Sequence, residues 1–166
     1  MQFCSLIDTK RTAIRGGSSG GYTALASISL ASSSASKTVF RECHEQLRNL
    51  EPGATCGRYT HTFELEYMIK LLGGMKAEIP HDRSPVYFSA RIETPLLVPR
   101  GNDDEVVPPA QSWTIIDEVI KNKGHVEAHF FDGEQHGWRM SETIKKAIEF
   151  EREWYEKTMV RVSVSK

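Results

Sequence analysis

Gly16-Gly17-Ser18-Ser19-Gly20-Gly21 leaves a chain few ways to fold, because it sets four glycines around two serines between segments of opposite character. Before it, Thr12-Ala13-Ile14 reads as a short buried strand. After it, Tyr22-Thr23-Ala24-Leu25-Ala26 opens a helix of small residues. A G-x-S-x-G run between a strand and a helix is a turn so tight that the residues beside the serine must be small. Such a turn lifts the Ser18 hydroxyl above the sheet and aims the helix amino terminus at the same spot. The backbone N–H of Ser19 then faces a developing oxyanion. The plain alternative is a flexible glycine-serine loop, and the rest of the chain decides between the two.

An acid and a histidine follow on later strand ends. Pro95-Leu96-Leu97-Val98 is a short apolar run, readable as a buried strand, and it empties into Gly101-Asn102-Asp103-Asp104-Glu105-Val106-Val107-Pro108-Pro109. Val126-Glu127-Ala128-His129-Phe130-Phe131 alternates like a strand and ends in Asp132-Gly133-Glu134-Gln135-His136-Gly137-Trp138. Loops at the carboxyl ends of parallel strands are where an open α/β sheet presents functional groups. The order Ser18, Asp104, His136 is that of an α/β-hydrolase. Asp103 competes with Asp104 for the acid, and His136 competes with a reading as a surface turn residue. His44, His61, His81, His125 and His129 lack metal-ligand spacing, so no metal site is expected. Glu105 reads as a solvated loop charge, and Trp138 as either a pocket wall or a packing residue.

Taken together, these blocks resemble the carboxyl-terminal catalytic domain of the prolyl oligopeptidase family of serine peptidases, in its dipeptidyl aminopeptidase and acylaminoacyl-peptidase branch. The stretches that carry the likeness are Arg11 to Leu25, Phe63 to Gly74, Arg83 to Ser112 and Val126 to Tyr155. The family pattern G-x-S-x-G-G falls on Ser18, G-x-x-D-x-x-V-P on Asp104 rather than Asp103, and G-E-x-H-G on His136. The chain departs from the family at Pro99-Arg100, where the family often has an apolar residue and His. The resemblance implies a serine-type peptidase acting on peptide substrates through an acyl-enzyme. Ser18 is then the nucleophile, His136 the base and acid, Asp104 its orienter and Ser19 N–H an oxyanion donor. No cofactor and no metal is implied. An esterase would use the same groups. The other alternative is a non-enzymatic fragment that at most associates with related chains through an exposed sheet edge.

Length sets the expected architecture. With 166 residues the chain is expected to be one domain, 1–166, holding a partial α/β-hydrolase fold: the carboxyl-terminal part of the sheet with its flanking helices. The family sheet has eight strands and the elbow follows the fifth. The first four strands, the second oxyanion donor and the β-propeller are therefore expected to be missing, and Ile14 and Leu97 to lack partners. The net charge of −1 offers no case for nucleic acid or an anionic membrane. No apolar run suits a bilayer, and Met1 to Ile7 lacks the basic start and long apolar core expected of a signal peptide. Three cysteines without zinc spacing fit a reducing cytoplasm.

Residues 31–60 are atypical. Ala31 to Tyr59 lack the strand and the YG(I/V)S(D/N)L signature that the family has there. Codons for Glu42 to His61 read one nucleotide later permit a string that restores that signature. We therefore read a frame slip near Arg41, corrected near His61, which would leave Cys43, His44 and Cys56 without an evolved role; the nucleotide sequence checks it. Elsewhere the spacing predicts helices over Ser19–Ser33 and Glu64–Leu72, with a loop over Pro80–Pro85. It predicts a further helix from Pro109 to a stop at Gly124, with Trp113, Ile116, Val119 and Ile120 on its buried face. The last helix is expected to be capped by Ser141 and to bury Ile144, Ile148, Tyr155 and Met159.

Overall fold

The structure is a computed structural model that describes residues 12–30, 37–43 and 84–160. The helix expected over Glu64–Leu72 lies outside the described residues. Strand β1 (Ala13–Ser18) runs directly into helix α1 (Ser19–Ser29), and strand β2 (Lys37–Cys43) follows. A 3-10 helix, Pro85–Arg91, leads to strand β3 (Leu96–Gly101), helix α2 (Pro109–Lys121), strand β4 (Val126–Phe131) and helix α3 (Ser141–Tyr155). A π-helical turn, Glu156–Val160, extends α3. The four strands form one sheet in the order β1-β2-β3-β4, and every pairing is parallel.

Parallel strands bury both faces, and β3 demonstrates it. All six of its residues are buried, and successive side chains alternate between faces. Leu96 and Val98 join Leu25 and Ile28 of α1, Val86 and Ile92 around the 3-10 helix, and Ile115 and Val119 of α2 in the main core. Leu97 points the other way and packs on Trp154 of α3, with Tyr155 and Met159 around it. Contrary to the expectation above, Leu97 therefore does not lack a partner, since the returning last helix covers it, and Ile14 packs against the main core. Each such aliphatic side chain contributes about 1.5–3 kcal/mol on burial. Trp154 is fully buried and is the main cover of that second face, so Trp154→Ala is expected to destabilise the chain by about 3–5 kcal/mol. Urea unfolding followed by circular dichroism measures it, and a loss below about 1 kcal/mol would mean that α3 does not close the sheet.

Several local expectations need correction. A strand does occupy Lys37–Cys43, although the segment lacks the family pattern; it bridges β1 and β3, pairing Val39 with both Arg15 and Leu97. Helix α1 ends at Ser29, not Ser33. Thr23, Ser27 and Ser29 each donate a hydroxyl hydrogen bond to the carbonyl four residues back, a competition that weakens a helix. Pro85, expected in a loop, opens the 3-10 helix. The buried stripe of α2 is Ser112, Ile115, Ile116 and Val119, while Trp113 is 47% and Ile120 56% exposed. Trp113 stacks instead on Phe130 of β4, with ring centres 4.1 Å apart. Ser141 is the first helical residue of α3 rather than its cap, and the buried stripe is Thr143, Ala147, Glu151 and Trp154. Ile144 and Ile148 are exposed. No described helix is long and apolar enough to cross a membrane.

Candidate active site

Strand β1 delivers Ser18 at its last residue, and α1 begins at the next. Ser18 has φ 55° and ψ −126°, a backbone conformation that costs a side-chain-bearing residue free energy. The turn is held by Gly16: a Cβ there would lie 2.3 Å from the carbonyl carbon and oxygen of Gly20. At Gly20 itself a Cβ would meet nothing within 4 Å, so the steric demand falls on the first glycine of the motif. Ser19, as the first residue of α1, has an N–H without an intrahelical acceptor, at the positive end of the helix dipole.

The acid comes from the loop after β3. Asp104 is buried, with Oδ1 accepting the N–H groups of Val106 and Val107 at 2.9 and 2.8 Å. Its Oδ2 lies 3.2 Å from Arg100 Nη2 and 3.0 Å from His136 Nδ1. Asp103 is exposed, and its backbone N–H donates to the Glu134 carbonyl at 2.9 Å. Of the two aspartates it is thus Asp104 that meets the histidine.

His136 comes from the loop after β4, and its Nε2 lies 3.2 Å from Ser18 Oγ. A carboxylate at Nδ1 favours the tautomer with the proton on Nδ1, which leaves Nε2 to accept from the serine hydroxyl. The loop needs left-handed backbone at Gly133 (φ 78°) and Gly137 (φ 93°). It touches the acid loop backbone to backbone: a Cβ on Gly101 would lie 2.4 Å from the Glu134 carbonyl oxygen. A single contiguous arrangement therefore joins Ser18, His136 and Asp104. Such an arrangement can withdraw a proton from the serine hydroxyl and hold the resulting imidazolium.

Two charged residues of this site were given no role by sequence reasoning, Arg100 having been noted there only as a departure from the family pattern. Arg100 is fully buried beside Asp104, and Glu134 is fully buried beneath the histidine loop. Glu134 accepts the N–H groups of Arg139 and Met140 at 2.8 and 3.0 Å. Burial pushes its carboxyl up, but those two bonds, a Thr143 hydroxyl bond and the Arg139 charge outweigh it and hold it below its ordinary 4.5. A lowered value means stability that is present above pH 4.5 and lost as pH falls through the folded value. Glu134→Gln should therefore flatten the acid limb of stability against pH, as read by urea midpoints; an unchanged acid limb would rule the clamp out. The signal in the sequence was the G-E-x-H-G pattern for Glu134, and for Arg100 a cation inside an apolar run.

Glu105 is exposed on the acid loop, and Trp138 is half-buried with its ring edge-on to Phe131. Trp138, Arg15, Ile144, Ile148, Glu151 and Arg152 line a groove of about 730 Å³ that includes none of Ser18, Asp104 and His136. At its floor Glu151 receives the Tyr155 hydroxyl and Arg15 Nε, both at 3.1 Å. Burial, then the Glu151 charge and hydrogen bond, push Tyr155 up to about 12. No three His, Cys, Asp or Glu side chains converge as metal ligands among the described residues.

Comparison with known proteins concerns the chain as a whole. Residues 2–161 match the prolyl oligopeptidase family. A puromycin-hydrolyzing peptidase of Mycobacterium tuberculosis superposes with a TM-score of 0.80 at 32% identity, over 92% of this chain and 23% of that one. An acylaminoacyl peptidase of Pyrococcus horikoshii gives 0.77 at 17% identity, over 95% and 26%. An esterase of Thermogutta terrifontis gives 0.68 at 18% identity, over 91% and 58%, a likeness of fold alone. The chain thus spans about a quarter of the length of the peptidases that it resembles. No curated protein matches it at a significant level.

Proposed function

The chain belongs to the prolyl oligopeptidase family, and from that premise we propose that it carries the catalytic triad of a serine-type peptidase that hydrolyses peptide bonds. The observation that supports this most is the unbroken path from Ser18 Oγ to His136 Nε2 at 3.2 Å and from His136 Nδ1 to Asp104 Oδ2 at 3.0 Å. Ser18 attacks the substrate carbonyl carbon as His136 takes its proton. The tetrahedral oxyanion receives the Ser19 N–H. The C–N bond then breaks as His136 returns the proton to the leaving amine, and water releases the acyl group by the same steps in reverse. Asp104 holds the imidazole ring in place and stabilises its charged form.

Labelling with a fluorophosphonate probe, beside a Ser18→Ala control, tests this directly. The expected result is labelling of the 166-residue chain that vanishes in the control. Soluble, cooperatively folded protein that takes no label would count against the proposal.

A second reading has its own support. The outer side of β1 has no strand partner among the described residues, and alternate residues of β1 are exposed. Association with a related chain through that edge, without catalysis, would appear as a mixed complex on size-exclusion chromatography together with an absence of labelling. The same triad would also cleave esters, so both ester and peptide substrates belong in the screen. The sparse cysteines favour a cytoplasmic setting for either reading.

A further inference from the structure

Strand β3 is buried along its whole length, and Arg100 stands within it with no exposed side-chain surface. A guanidinium keeps its charge at such a site, so burying it is costly unless acceptors meet it. Nη2 donates to Asp104 Oδ2 at 3.2 Å and also to the carbonyl of Val107. Those acceptors lie within and at the end of the turn that carries the acid. Inside that turn, Asp104 Oδ1 already receives the N–H groups of Val106 and Val107. The carboxylate is therefore fixed at both oxygens: Oδ1 belongs to the turn, while Oδ2 is shared by Arg100 and His136.

We propose that Arg100 is a positioning residue that acts through Asp104, tying the acid turn to β3 and fixing the carboxylate so that Oδ2 meets the imidazole. The proposal rests on the triad reading above. It differs from a general contribution to stability in one respect. If Arg100 acts only through the Asp104 carboxylate, replacing it must have no further effect on serine reactivity once that carboxylate has been removed. A residue that merely fills the core would lower reactivity in either background.

Proton NMR of the 166-residue chain reads the positioning without requiring activity. The His136 Nδ1 proton, held against a carboxylate oxygen, is expected downfield of the amides and is identified by its absence from His136→Gln. Arg100→Met should remove or broaden it, and Arg100→Lys, which keeps a cation, should restore it in part. In parallel, fluorophosphonate labelling should slow about tenfold in Arg100→Met, the size expected for a hydrogen bond to a charged group. The same change should have an effect below about twofold in the Asp104→Asn background.

A resonance unchanged in Arg100→Met overturns the proposal, as does its absence from the parent chain or a full tenfold loss in the Asp104→Asn background. A resonance that depends on Arg100 in a chain that takes no label leaves the positioning intact and removes the catalytic reading instead. Where Arg100→Met fails to fold by circular dichroism, Arg100→Gln, which drops the charge and keeps an N–H donor, takes its place with the same expected loss.

Discussion

His136→Ala is expected to lower the rate of Ser18 labelling by at least about 10⁴-fold, the order found when the base of a serine-histidine-acid triad is removed. The argument starts from the hydroxyl. A serine Oγ–H at neutral pH is a poor nucleophile, and among the described residues the only ring nitrogen placed to accept its proton is His136 Nε2 at 3.2 Å. Without the imidazole, the proton must leave to water during attack, and a 10⁴-fold loss corresponds to about 5.5 kcal/mol on the barrier. The turn that strains Ser18 and the helix start at Ser19 remain, so a residual rate above that of free serine is expected. His129→Ala is the matched control. His129 stacks on Phe150 and pairs with Glu127 at 2.9 Å, away from the serine, and its loss should leave labelling unchanged. Equal losses in the two variants would mean that the effect is one of folding. No loss in His136→Ala would remove the histidine from the mechanism.

Gly101→Ala has the second largest expected effect, although residue 101 touches none of the reacting atoms. The added methyl would lie 2.4 Å from the Glu134 carbonyl oxygen and 2.7 Å from that of Gln135. Both are backbone atoms, so no rotamer change relieves the contact and the two loops must move apart. Asp104 rides on one loop and His136 on the other, joined by a bond of 3.0 Å. A displacement of about 1 Å at a reacting group costs about 10²-fold in rate. Overpacking of this kind also destabilises by about 1–3 kcal/mol. Gly20→Ala makes the contrast: its methyl meets nothing within 4 Å, and in α1 alanine is favoured over glycine by about 0.5–1 kcal/mol. Labelling rates and urea midpoints of both variants decide the matter. Gly101→Ala at the parent rate would mean that the loops are not in backbone contact.

Strands β3 and β4 and helix α2 were legible because apolar runs, Pro109 and Gly124 mark them locally. The candidate site residues stood out for a related reason: Ser18 ends β1, and Asp104 and His136 lie in the loops after β3 and β4, where the chain turns sharply and small residues show. The buried faces of α2 and α3 were misread because helical spacing groups apolar residues without saying what lies opposite. Trp113 belongs to Phe130 at the sheet margin, and Ile144 and Ile148 face the open groove, while polar Ser112 and Thr143 go inside. Strand β2 was missed because Lys37–Cys43 carries little apolar pattern of its own and is ordered by two neighbours far away in sequence. The roles of Arg100 and Glu134 escaped for the same reason. Their partners, the Asp104 carboxylate and Val107 carbonyl for Arg100 and the N–H groups of Arg139 and Met140 for Glu134, take up their positions only once the loops have closed.

The bond between Ser18 and His136 spans 118 residues of chain. Contacts of such separation close late, after the entropy of the intervening loop has been overcome. If the triad reading holds, the serine is expected to gain its reactivity only once β4, which carries the His136 loop, has docked on β3. Pulses of a covalent probe during refolding would stamp only those molecules in which the last strand has arrived, which makes the hydroxyl of Ser18 a clock for completion of the sheet.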